Sequence, residues 1–108
     1  MTTHVLDTAA GRPARGIPVT LARYAATGWQ PIGHAVTDAD GRILDFGTPH
    51  LLKGVYRLDF ATAAYLGAAG RNGFFPEISV AFEISDPDQH YHVPLLLSGH
   101  SYTTYRGS

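Results

Sequence analysis

The segment His90-Tyr91-His92 places two imidazoles two residues apart, and in an extended strand that spacing points both toward the same side of a sheet. Such a pair can ligate a metal or take up and return protons near neutral pH. A metal would need a third ligand from elsewhere, and no acid follows closely, because Val93-Pro94-Leu95-Leu96-Leu97 comes next. Acid–base work and plain surface placement therefore stay open beside the metal reading. His4 lies in Thr3-His4-Val5-Leu6-Asp7, where alternation puts Thr2, His4 and Leu6 on one side. An isolated histidine in such a place is ordinarily a partly exposed polar residue at a sheet edge. Arg42 follows the turn Asp38-Ala39-Asp40-Gly41. An arginine after a turn is usually solvated, but facing histidines its planar donor fork would suit a substrate rich in carbonyl oxygens. His34, His50 and His100 show no partner pattern and read as surface residues.

Other chemistries find no footing. The chain has no cysteine, which removes disulfides, thiolate metal sites and cysteine nucleophiles together. No G-x-S-x-G elbow, P-loop or dinucleotide fingerprint occurs, and Gly70-Arg71-Asn72-Gly73 reads as a turn after a helix. Eight Lys+Arg against nine Asp+Glu give a net charge of −1, so there is no basic field for nucleic acid or an anionic membrane. No window approaches the ~18 apolar residues of a membrane span. The segment Met1–Gly11 lacks the basic-then-apolar pattern of a signal peptide, and the expected compartment is the cytoplasm.

The elements that must carry these residues are short and mostly extended. Thr3–Asp7, Ile17–Tyr24, Trp29–Thr37, Val55–Phe60, Ile78–Ile84 and His90–Leu97 read as strands, separated by turns such as Asp38–Arg42 and Asp86–Gln89. Only the alanine-rich Ala61–Ala69 reads as a helix, ended by Gly70 and Gly73. The expectation is a single domain over residues 1–108, an all-β sandwich of seven to eight strands with one short helix. With 108 residues the core is modest, and burial at a subunit interface would help it.

Five segments read together go further: THVLDTAAGRPA, TDADGR, FFPEISVAFEI, HYHVPLLLS and the closing Tyr105-Arg106-Gly107-Ser108. In that order, from Thr3 to Ser108, the chain resembles 5-hydroxyisourate hydrolases, the transthyretin-related enzymes of urate breakdown. The resemblance implies a transthyretin-like sandwich and a homotetramer whose active sites lie at the dimer–dimer interface. It implies hydrolysis of 5-hydroxyisourate to 2-oxo-4-hydroxy-4-carboxy-5-ureidoimidazoline without metal or cofactor. Carried over by motif, His4 and His92 would position and deprotonate water, and Arg42 would bind substrate oxygens and stabilise charge on the carbonyl. Tyr105 and Arg106 would shape the substrate pocket, and Ser108 would offer its hydroxyl or a carboxylate. His90 is a candidate supporting residue. The alternative is a transthyretin-like carrier that binds a small aromatic ligand without reacting it, although a carrier has no need of His4, Arg42, His92 and the YRGS segment together.

Overall fold

The structure, a computed structural model, describes all 108 residues. The strands are β1 (Thr2–Asp7), β2 (Arg12–Pro13), β3 (Pro18–Ala25), β4 (Gly28–Val36), β5 (Arg42–Ile43), β6 (Gly54–Phe60), β7 (Ile78–Ile84), β8 (His92–Leu97) and β9 (Tyr102–Thr104). One helix, α1 (Thr62–Ala68), separates β6 from β7. Seven strands have three residues or more, and β2 and β5 are two-residue additions to β1.

Two sheets face each other. One is antiparallel throughout in the order β4-β3-β6-β7. In the other, of order β2-β1-β8-β9, β1 and β8 run parallel from Thr2↔His92 to Asp7↔Leu97. The remaining edge of β1 is shared by β5 at its start and β2 at its end. Alternation drives the packing: Thr3, Val5 and Asp7 of β1 point inward, as do Leu58 and Phe60 of β6 and Val93, Leu95 and Leu97 of β8. Each large apolar side chain fully buried there contributes about 1.5–3 kcal/mol. Pro31, which lacks an N–H donor, sits where the β3–β4 register shifts, on edge strand β4, a place that tolerates proline.

Helix α1 spans seven residues and has no side-chain cap, so it depends on packing rather than propensity. Leu66 is buried, and the Tyr65 hydroxyl donates to the Asp7 carboxylate at 2.7 Å. Arg71, just past the helix, forms an ion pair with the same carboxylate. No helix is long and apolar enough to cross a membrane.

The eighth strand differs from its expected span, beginning at His92 rather than His90. The turn bond from Gln89 N–H to Asp86 C=O holds the chain back, and regular pairing starts only where His92 meets Thr2. Strand β9 lay in a Ser/Thr/Tyr stretch with no apolar alternation, and its pairing with β8 supplies what periodicity did not.

Candidate active site

The outward face of the β2-β1-β8-β9 sheet gathers the expected residues. Register sets Thr2 beside His92 and His4 beside Pro94 across the β1–β8 pair. On the other edge of β1, His4 stands opposite Arg42. Thr2, His4 and His92 are half-buried, whereas Arg42 is exposed. Burial lowers the His92 pKa below its ordinary 6.5, and the nearby charges of His4, His90 and Arg42 lower it further, against the opposing effect of Thr2. His92 is therefore uncharged at neutral pH and able to accept a proton.

Arg42 is aimed by its turn. The Asp38 carboxylate accepts the backbone N–H of Asp40 at 2.8 Å and of Arg42 at 3.0 Å, an Asx-type closure. Those backbone donors, that of Arg42 foremost, hold the Asp38 pKa below its usual value. Gly41 has φ of 73°, and a Cβ there would collide with the Val5 carbonyl. Glycine thus lets the turn lie against β1, where Val5 N–H donates to Gly41 C=O at 2.7 Å.

The closing segment is attached to the site through Gly107. Its N–H donates to the His92 carbonyl at 2.8 Å, continuing the antiparallel pairing that β9 makes with β8. A Cβ on Gly107 would come within 2.5 Å of His92 Cδ2, so the imidazole lies directly on this glycine. Arg106 has partners of its own within the chain. Its guanidinium stacks 4.4 Å from the Tyr91 ring centre and donates to Gln89 Oε1 at 3.0 Å. Tyr91 belongs to the buried core, so within one chain Arg106 anchors the tail away from the histidine face. Tyr105, 54% exposed, lines with Arg106 an apolar groove of about 310 Å³ beside Val80, Phe82 and Val93. Ser108 is exposed next to Gly107.

Two residues of the site escaped sequence reasoning. The Thr2 hydroxyl lies 2.7 Å from His92 Nδ1 and 3.3 Å from His90 Nε2. Alternation had put Thr2 on the side of His4, which was the available signal. Gly107 gave only its place in the tetrapeptide. His90 and His92 do meet, but through Thr2 rather than as neighbours in one strand. No group of three or more His, Cys, Asp or Glu side chains is placed to share a metal. None of the four cavities is lined by His4, Arg42 or His92. The three stand on an open sheet face, and enclosing a small substrate calls for a second surface.

A two-sheet, transthyretin-like sandwich carrying two imidazoles and a guanidinium on one outer face defines the class. Comparison with known proteins gives the family: residues 1–107 match the HIUase/Transthyretin family model, and the chain belongs to that family. It is 46% identical over 111 residues to the 5-hydroxyisourate hydrolase of Mus musculus, covering 100% of this chain and 94% of that protein. The structure of Klebsiella pneumoniae 5-hydroxyisourate hydrolase superposes with TM-score 0.88 at 37% identity, covering 99% of this chain and 97% of that one. Sea bream transthyretin in complex with thyroxine superposes with TM-score 0.90 at 35% identity over 98% of this chain and 92% of its own. Backbone likeness does not separate enzyme from carrier here; side chains must.

Proposed function

We propose that the chain hydrolyses 5-hydroxyisourate to 2-oxo-4-hydroxy-4-carboxy-5-ureidoimidazoline, a cyclic-amide C–N cleavage of urate breakdown. The observation that carries this reading is an uncharged His92 on the same open face as His4 and Arg42. Water held between the imidazoles is deprotonated by His92 and adds to a ring carbonyl. His92 hands that proton to the ring nitrogen as the C–N bond breaks, so that the surplus proton is the one left on the new carboxyl. General-base assistance of that kind contributes ~10²–10⁴-fold. Arg42 holds substrate oxygens and stabilises the developing oxyanion, and His4 orients the water from the adjoining strand. The Ser108 hydroxyl and Tyr105 complete the substrate surface at the tail. Arg106 fastens that tail over Tyr91, and contact with substrate would require it to leave this stack. The reaction so drawn uses no metal or cofactor.

The open face fits assembly. A homotetramer with sites at the dimer–dimer interface would supply the missing wall of the site and bury surface that a domain this small leaves exposed. A cytoplasmic setting suits a chain without cysteines. The carrier reading leaves His4, Arg42 and His92 without a task. The absorbance decay of freshly generated 5-hydroxyisourate, with and without protein, decides between them. Accelerated decay is expected, and decay at the spontaneous rate would overturn the enzyme reading.

A further inference from the structure

The proposed reaction has a proton surplus. Opening a ring amide with water yields a carboxyl and an N–H. The new nitrogen is ureido and not basic, whereas a carboxyl with a reference pKa of about 4 ionises at neutral pH. One of the two water protons ends on nitrogen, and the other must leave the site in each turnover. While product covers the outer side of His92, its Nε2 has no free path to solvent.

The Thr2 hydroxyl joins the inner nitrogen of His92 to an exposed imidazole, at 2.7 Å from His92 Nδ1 and 3.3 Å from His90 Nε2. A hydroxyl has one proton to donate and lone pairs to accept with, so it can bridge two imidazoles in one direction at a time. Resting on the function proposed above, we infer that Thr2 and His90 form a proton exit from His92 to solvent. In the resting chain, His92 Nδ1–H donates to Thr2, and Thr2 donates to His90 Nε2, which leaves His92 Nε2 free as the base. His92 Nε2 takes the surplus proton. The Nδ1 proton then passes to Thr2 Oγ1 as the hydroxyl proton passes to His90 Nε2, and His90 gives a proton to water. No bond other than N–H and O–H changes, and one proton enters and one leaves. When product departs, the chain reverses: His92 Nε2 returns its proton to water, and another comes back through His90 and Thr2 to Nδ1. His4 and Arg42, the other charged or titratable groups facing His92, sit on the opposite side of this path along β1 and β5. Gly107 keeps the imidazole in place, since a side chain there would push it off. Thr2 and His90 act through His92 and touch no reacting atom.

The test is kcat at fixed pH against buffer concentration for native chain, Thr2→Val, Thr2→Ser and His90→Gln. In ~1 mM buffer Thr2→Val and His90→Gln should lose about tenfold or more in kcat, a loss that added imidazole restores. Thr2→Ser should keep native turnover. His90 is exposed, so its variant reports even if Thr2→Val fails to fold. Unchanged kcat in dilute buffer, or a loss that buffer does not relieve, overturns the relay. Nitrogen NMR of ligand-free protein separates this inference from the activity it rests on. His92 should be a single Nδ1–H tautomer in the native chain and mixed in Thr2→Val. An unchanged tautomer overturns the relay whether or not the native protein accelerates decay, and native decay at the spontaneous rate overturns the activity alone.

Discussion

The two faces of β1 do opposite work. Outward, Thr2 and His4 stand half-buried among His92 and Arg42 with few internal ties. Inward, Thr3 donates to the Val93 carbonyl at 2.6 Å, Val5 is fully buried, and Asp7 is 1% exposed beneath Tyr65 and Arg71. Both faces carry titratable groups, and the difference lies in their satisfaction. Burial alone would raise the Asp7 pKa. Hydrogen bonds from Arg71, Tyr65 and the Ala10 N–H overcome that and lower it to about 2. Asp7 is fully partnered and held as an anion, whereas His92 is held neutral with its outer nitrogen unspoken for. Partnered charge fixes α1 to the sheet, and unpartnered base is available for chemistry.

Breaking the outward face should cost most. His92→Ala should reduce turnover by ~10²–10⁴-fold, the worth of a general base, and Arg42→Ala by ~10²–10³-fold, the worth of an oxyanion donor. Thermal melts of both should stay close to native. Full activity in either variant removes that residue from the mechanism. Next comes Gly107→Ala, whose Cβ would press on His92 Cδ2. A displaced base costs up to about 10²-fold in kcat, and steady-state kinetics together with a native melting profile would check it.

The inward face should respond in stability instead. Asp7→Asn should lose about 2 kcal/mol at neutral pH, since the Asp7 carboxyl titrates near 2 folded against 3.8 unfolded. That corresponds to a Tm lower by roughly 10 °C for a domain of this size, with kcat below the melt retained. Because the folded pKa is depressed, this stabilisation is present above about pH 4 and fades as pH falls toward 2. Scanning calorimetry across that window should show native and variant converge. The smallest effect sharpens the other side of the comparison. His92 titrates below 6.5 in the free chain, so the acid limb of kcat/KM should lie below that value, and a limb above it would mean another group is the base.

Much of this division was legible in the sequence, because alternation in a strand assigns faces without tertiary information. Thr2, His4 and Leu6 could be set apart from Thr3, Val5 and Asp7 from spacing alone, and HYHVPLLL carried the partner strand. What could not be read was pairing across long separations. That Asp7 meets Tyr65 and Arg71 depends on where α1 docks, and no local pattern announces it. Strand β9 exists because β8 offers it an edge. The direction of Arg106 follows from that register, which carries it to Tyr91 and brings Gly107 to His92. The tetrapeptide therefore divides into an anchor at Arg106 and a rest for the His92 imidazole at Gly107, which its composition did not distinguish.

His4 and Asp7 lie on one strand but on opposite faces, and His4→Ala measured beside Asp7→Asn tests the division most directly. The measurement is the 5-hydroxyisourate decay rate at a temperature well below both melting points. For His4→Ala the expected result is turnover reduced by about 10²-fold or more, with stability near native. Native turnover in His4→Ala would contradict the assignment of catalysis to the outward face of β1.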